Sequence, residues 1–287
     1  MTTQSKQENI HNHQKKIAAV NDFTGFGRCS LAVSIPIISV MKVQCCPLPT
    51  SILSNHTGFE SCFFDDYTRK MRPYMEEWKK LRLSFDGILT GFLGSNAQIQ
   101  MVCEFIETFR EEATYVIVDP VMGDNGKIYR TYTPRMCRSM KKLVSRADVI
   151  TPNLTEACIL TDTPYHEDKW KEQEILRMAR SLCGFGPERV VITGLIQGDY
   201  IANFCYEKKE EQEEFCFLRT HRAGMQRSGT GDIFASIIAA DAVNQVPFRD
   251  SVKKASQFIK KCIERSMEMD IPLTDGVCFE ELLRKLV

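Results

Sequence analysis

The chain has 287 residues, with 37 Lys plus Arg against 37 Asp plus Glu, and is 43% hydrophobic and 26% charged. That balance excludes intrinsic disorder as the main state and removes the global positive field that would drive nucleic-acid or membrane-surface binding. At this length folding buries about three-quarters of the unfolded surface, enough for one large domain without disulfide or metal staples.

In chain order, residues 1–14 form a polar tail with no apolar core of a secretory signal, so the chain reads as cytoplasmic, with one domain over 15–287. His11 and His13 in this tail read as solvated. Ile17–Val20 predicts the first strand. The longest mostly apolar run, Leu31–Val43, is broken by Ser34, Pro36, Ser39 and Lys42, and is shorter than the ~20 residues of a membrane span. Gly87–Phe92, Tyr115–Asp119, Asp148–Thr151 and Val190–Thr193 are further short apolar runs, the pattern of parallel strands buried on both faces. Between them, Ile99, Val102, Cys103, Ile106 and Phe109 share one helical stripe in Asn96–Glu112. Thr133-Pro134 is an N-cap followed by proline at the first helical position.

Ala202–Tyr206 and Phe215–Arg219 flank the charged run Lys208–Glu214, which predicts a hairpin with a solvated turn. Asp250–Met267 and Phe279–Leu286 read as closing helices. The alternation predicts an α/β fold: a doubly wound, mostly parallel central sheet with helices on both faces. The twelve cysteines contain no C-x-x-C and sit in apolar settings, so they read as structural thiols rather than metal ligands.

In open α/β sheets, ligands bind beyond the carboxyl ends of the strands. Asn21-Asp22, Thr90-Gly91-Phe92, Asp119-Pro120 with Gly123-Asp124, Thr151-Pro152-Asn153 with Glu156, and Thr193-Gly194 all fall there. Turn chemistry accounts for any one of them; five at one edge supply more carboxylate than a scaffold needs. Arg227-Ser228-Gly229-Thr230-Gly231-Asp232 feeds an Ala-rich helix. Its glycines would let backbone N–H groups approach an anion at the positive end of the helix dipole. An acid in the first turn is also ordinary helix capping, so this loop alone leaves both readings open. In a phosphoryl transfer Asp232 would take the proton of an attacking hydroxyl, and the Gly229–Gly231 amides would stabilise the developing charge. The G-x-x-x-x-G-K-[ST] loop is absent, and Gly25-Phe26-Gly27 lacks a third glycine.

The GTGD loop at a helix start on this βα pattern resembles the ribokinase superfamily. Ser54-Asn55-His56-Thr57-Gly58-Phe59, Leu89-Thr90-Gly91-Phe92, Asp119-Pro120-Val121-Met122-Gly123-Asp124 and Thr151-Pro152-Asn153-Leu154-Thr155-Glu156-Ala157 are similar to its pyridoxal kinase branch. The similarity spans about residues 15–285. It implies ATP-dependent phosphorylation of the 5′-hydroxymethyl group of pyridoxal, pyridoxamine or pyridoxine, with ATP, Mg²⁺ and K⁺ as cofactors and a homodimer as the assembly. Leu31–Ile38 is one surface that could serve the dimer, and core packing accounts for it equally.

By the same resemblance Asp232 is the base, with Gly229, Thr230 and Gly231 as the anion hole. Asn21, Asp22, Thr57 and Phe92 fall on the vitamer side. Asp119, Asp124, Thr151, Asn153, Glu156, Thr193 and Gly194 fall on the ATP side, with Asp119 and Glu156 serving the metal through water. Asn21-Asp22 stands where the branch often has Ser, and Phe92 where Tyr is frequent. Asp22 is the residue that resembles hydroxymethylpyrimidine kinases of thiamine biosynthesis, the alternative substrate class. Arg227 matches no family position.

Overall fold

The computed structural model describes residues 11–209 and 212–287. Most of the expected polar tail, and Glu210 and Glu211 of the charged run, lie outside the described residues. The elements begin with β1 (Lys16–Phe26), α1 (Leu31–Val40), β2 (Gln44–Asn55), β3 (Phe64–Asp66), α2 (Thr68–Lys80), β4 (Gly87–Thr90) and α3 (Asn96–Phe109). The middle contains β5 (Tyr115–Val118), the small hairpin β6 (Gly123–Asp124) and β7 (Lys127–Ile128), α4 (Pro134–Val144), β8 (Val149–Ile150), α5 (Leu154–Thr161) and α6 (Glu172–Cys183). The last part holds β9 (Arg189–Gln197), β10 (Tyr200–Lys208), β11 (Glu213–His221), α7 (Thr230–Val243) and α8 (Phe248–Glu268), then 3₁₀ turns at Leu273–Asp275 and Glu280–Leu286.

Nine strands form one sheet in the order β11-β10-β9-β8-β5-β4-β1-β2-β3. From β9 through β2 the neighbours are parallel, and antiparallel strands finish both ends. The order reverses between β1 and β4, where a parallel sheet opens a crevice at its carboxyl edge. The fold is the doubly wound, ribokinase-like α/β architecture that the alternation predicts. All five predicted central strands form, shifted by a few residues at their ends.

Two apolar clusters cover the two faces. One joins α2–α6 to the sheet, with Phe105 and Phe204 wholly buried. The other packs α1, α7 and α8 on the opposite face. Helix α7 is buried along Ile233–Asp241, so its alanines serve close packing against sheet and helices rather than solvent. Leu31, Val33, Ile37 and Ile38 of α1 are fully buried, so core packing accounts for these residues, while Ala32, Ile35 and Pro36 are half-buried. The last expected helix, Phe279–Leu286, winds instead as 3₁₀. His11 is not simply solvated: its Nε2 lies 2.7 Å from Leu81 O. Among the described residues no helix is long and apolar enough to cross a membrane.

Candidate active site

The carboxyl ends of β4, β5 and β8 meet the N-terminus of α7 in one crevice, whereas Asn21-Asp22 and Thr193-Gly194, expected to follow their strands, lie within β1 and β9, which run on to Phe26 and Gln197. Asp232 sits in the first turn of α7, where Ile233 N–H donates to Gly229 O at 2.9 Å as the first helical bond. The amides of Thr230 and Gly231 are thereby left without an intrahelical acceptor. The loop shape depends on Gly229. Its φ is +86°, and a Cβ built there would lie 2.0 Å from Arg28 O. Thr230 Oγ1 closes the turn by donating to Arg227 O at 3.2 Å.

Asp232 is held from β1. Asn21 Nδ2 donates to Asp232 Oδ1 at 3.1 Å, while Asn21 Oδ1 accepts from the amides of Asp22 at 2.9 Å and Phe92 at 2.8 Å. The amide group lies flat on Gly91, where a Cβ would come within 2.5 Å of it. Asn21 therefore has one orientation and offers its N–H₂ to the carboxylate. Burial raises the Asp232 carboxyl to about 6, and the neighbouring Asp22 charge adds to this. Hydrogen bonds from the Ser30 backbone amide and Asn21 oppose it.

Asn21→Asp is expected to face a second carboxylate onto Asp232, raise its pKa further, and move the acid limb of the pH–kcat/KM profile upward. An unmoved limb would remove Asn21 from this role. Asp22 is buried, and its two oxygens accept from Thr24 Oγ1 at 2.7 Å and Ser30 Oγ at 2.6 Å. Its carboxylate is thus engaged within the β1–α1 turn.

Asp119, at the end of β5, faces Asp232 across the crevice. Burial, reinforced by the Asp232 charge, lifts its carboxyl to about 8, against the Thr151 hydroxyl that donates to Oδ1 at 3.0 Å. Glu156 belongs to a capping box with Asn153 at the start of α5: Asn153 N donates to Oε2 at 2.8 Å and Glu156 N to Asn153 Oδ1 at 3.0 Å. Met122 N donates to Oε1 at 3.1 Å. Burial and the Asp119 charge raise the Glu156 carboxyl well above its ordinary value. Asn153 Nδ2 also donates to Gly123 O at 2.8 Å, tying the β6–β7 hairpin and its Asp124 to α5.

Thr193 pairs with Asn153 as an isolated bridge, and Gly194 N donates to Asn203 Oδ1 at 3.1 Å. Phe92 is half-buried, with its ring edge-on to Tyr132 at 6.4 Å. Thr57 is exposed in a turn and makes no hydrogen bond to the other candidates among the described residues. The loop around it is anchored by His56 Nε2, 2.7 Å from Thr274 O.

Several contributors escape local sequence reading. Arg227, 8% exposed, donates through Nη1 to Ile271 O at 2.8 Å and Pro272 O at 3.1 Å, so it ties the glycine loop to a segment distant in sequence. Gln226 Nε2 donates to Asp124 Oδ2 at 3.0 Å. The Tyr129 hydroxyl is pushed upward by desolvation, with the charges of Glu156, Asp124, Asp119 and Asp232 adding to it, although the residue as a whole is partly exposed. Cys29 borders the same crevice, but burial and the Asp232 charge raise its thiol to about 12, so it is protonated and unreactive.

A buried acid at a glycine-shaped helix start, opposed by a second acid and a row of backbone-locked polar groups, suits phosphoryl transfer to a hydroxyl. The model of the phosphomethylpyrimidine kinase family matches residues 81–273. The chain belongs to this family. A family structure, that of a putative phosphomethylpyrimidine kinase from Bacteroides thetaiotaomicron, is 38% identical, covers 96% of this chain and 94% of that one, and superposes with a TM-score of 0.92. A second crystal form of it, with pyridoxal, superposes at 0.89. The pyridoxal kinase of Arabidopsis thaliana is 30% identical over 74% of this chain and 68% of its own length. A putative pyridoxal kinase of Caenorhabditis elegans is also 30% identical, over 54% of this chain and 48% of its own length.

Proposed function

We propose that this chain is an ATP-dependent vitamin B6 kinase, transferring the γ-phosphoryl group of ATP to the 5′-hydroxymethyl group of pyridoxal, pyridoxamine or pyridoxine. The observation that carries the reading is Asp232, set at the open N-terminus of α7 with its carboxyl raised to about 6 and its orientation held by Asn21. A carboxylate of that strength is ionised at neutral pH and is a better base than an ordinary aspartate. It takes the hydroxyl proton as the new O–P bond forms and the bond to the bridging oxygen of ADP breaks. The free amides of Thr230 and Gly231 face the oxygens on which charge grows.

Thr193 and Gly194, midway along β9 where the strand runs on past its pairing with β8, form the nucleotide side with Asn153, Thr151 and Asp124. Phe92 and Thr57 border the ring side, where the Phe92 face suits a pyridine. The donor set fits Mg²⁺. Asp119 Oδ1 is used by Thr151 but Oδ2 accepts from no donor among the described residues, whereas both Glu156 oxygens already accept backbone amides. Asp119 would hold the ion directly or through water, and Glu156 through water. Bound there, Mg²⁺ would neutralise charge on the phosphates. No ready cluster of three such ligands exists among the described residues, in keeping with an ion brought in with its nucleotide.

K⁺ and a homodimer are carried over from the resemblance. Phe23, Ile52 and Phe63, exposed along the β1–β2–β3 edge, are the surface a second copy would cover, and sedimentation of the purified chain would check this. Twelve free cysteines suit a cytoplasmic, reducing setting. The family name and a 25% identical bifunctional thiamine-biosynthetic enzyme of rice keep hydroxymethylpyrimidine as the second substrate reading. Turnover of pyridoxal, pyridoxamine, pyridoxine and hydroxymethylpyrimidine with ATP, Mg²⁺ and K⁺ decides between them. Phosphorylation of a B6 vitamer is the expected result, and turnover of hydroxymethylpyrimidine alone would overturn it.

A further inference from the structure

The β10–β11 hairpin carries two thiols that phosphoryl transfer does not use. Cys205 and Cys216 stand directly opposite each other in the antiparallel register, and both are free. Such partners have Cα atoms about 4.5–5.5 Å apart, inside the range a disulfide spans. Both side chains lie on the face covered by α7 and α8. Cys205 is buried, whereas Cys216 is half-buried on the edge strand and reachable from solvent. The two thiols act on each other's titration, and the Arg249 guanidinium of α8 acts on both.

We propose that Cys205 and Cys216 form a redox-active pair that a peroxide converts into a cross-strand disulfide. The Cys216 thiolate attacks hydrogen peroxide: an S–O bond forms, the O–O bond breaks, and hydroxide leaves and is protonated to water. Cys205 sulfur then attacks the resulting sulfenic acid, giving the S–S bond and releasing the second water. Two thiols lose two electrons and two protons, and one peroxide becomes two waters. Chemistry favours this pair over the thiols that burial holds protonated. The facing Cys205 side chain and Arg249 bring the Cys216 thiol down to about 6, against burial and the Glu214 charge. Burial pushes Cys29, Cys45, Cys158, Cys183 and Cys262 upward. Oxidation is selective for the low-pKa, accessible thiol with a resolving partner beside it.

The link would reach the nucleotide side. Asn203, two residues before Cys205 and on the same strand face, accepts from Gly194 N and donates to Ser256 Oγ at 2.8 Å. On the reading that places Gly194 at ATP, which this part of the inference rests on, the disulfide changes KM for ATP severalfold with a smaller change in kcat.

The test uses the reduced full chain, treated with stoichiometric hydrogen peroxide at neutral pH, alkylated and cut with trypsin. Peptide 190–208 should appear joined to 210–219, lighter than the pair by two hydrogens and separated by dithiothreitol. Cys205→Ser should leave Cys216 as a dimedone-reactive sulfenic acid, and Cys216→Ser should leave Cys205 reduced. Because Cys216 is half-exposed, Cys216→Ser keeps the test open if Cys205→Ser fails to fold. Oxidation of other cysteines first, or of Cys216 without the link, overturns the pair. An unchanged KM for ATP in fully linked protein overturns the coupling to the nucleotide side. Loss of the B6 kinase reading would leave the peptide result unaffected.

Discussion

Asp232→Asn is expected to lower turnover of a B6 vitamer by about 10²–10⁴-fold while KM for both substrates stays close to that of the unaltered chain. The amide has the shape of the carboxylate and its oxygen still accepts from Asn21, so geometry is kept and the base is lost. The anion hole at Thr230 and Gly231 survives, which is why residual turnover is expected. In the unaltered chain kcat/KM should fall as pH drops through about 6, because a carboxyl raised to that value is protonated, and inactive as a base, below it. That limb should vanish in the variant. The Asp232 charge also helps raise Asp119, so removing it should lower the Asp119 carboxyl from about 8. Steady-state kinetics across pH measures both effects; activity within tenfold of the unaltered chain would sink the base assignment.

Gly229→Ala should be nearly as costly, through shape rather than charge. The new methyl group would stand 2.0 Å from a backbone oxygen, Arg28 O, which no side-chain rotation can relieve. The residue would also sit at φ +86°, a region costing an L-residue about 1–2 kcal/mol. The loop must shift, and a 1 Å misplacement at a reacting centre can cost about 10²-fold in rate. Both kcat and Tm should fall. Gly198→Ala is the control: its φ is +60° but a Cβ there meets nothing within 4 Å, so it carries the backbone strain without the collision. An equal loss of Tm in the two variants would mean that strain, not the approach to Arg28, accounts for the cost at Gly229.

Where function is concentrated in contiguous residues, it was readable before any coordinates. The GTGD loop announces its own turn, and the buried runs at Ile17, Tyr115 and Val190 announce parallel strands. β2 is not legible in the sequence because Pro47, Pro49, Thr50 and Ser51 mask its extended run with turn-type residues. The Phe279, Leu282, Leu283 and Leu286 spacing is the α-helical stripe, yet the segment winds as 3₁₀ where it packs against α1 and α8, an outcome of tertiary packing that the spacing does not carry. The bond from Asn21 to Asp232 leaves no trace in the sequence because the partners lie 211 residues apart, on the two sides of a crossover. Arg227 was silent for the same reason, since its acceptors are main-chain oxygens whose position only the fold supplies. Long-range hydrogen bonds of this kind leave no local pattern.

The grip of Arg227 extends to biosynthesis. Val277 N donates to Ser228 O, Arg28 reaches Asp275 O, and His56 meets Thr274 O, so three remote loops converge on one short stretch near residue 275. That stretch leaves the ribosome after every acid, glycine and strand of the crevice. A nascent chain can thus carry all the chemical groups of the site and still lack the clamp that shapes them, so competence arrives abruptly, at the end of synthesis rather than strand by strand.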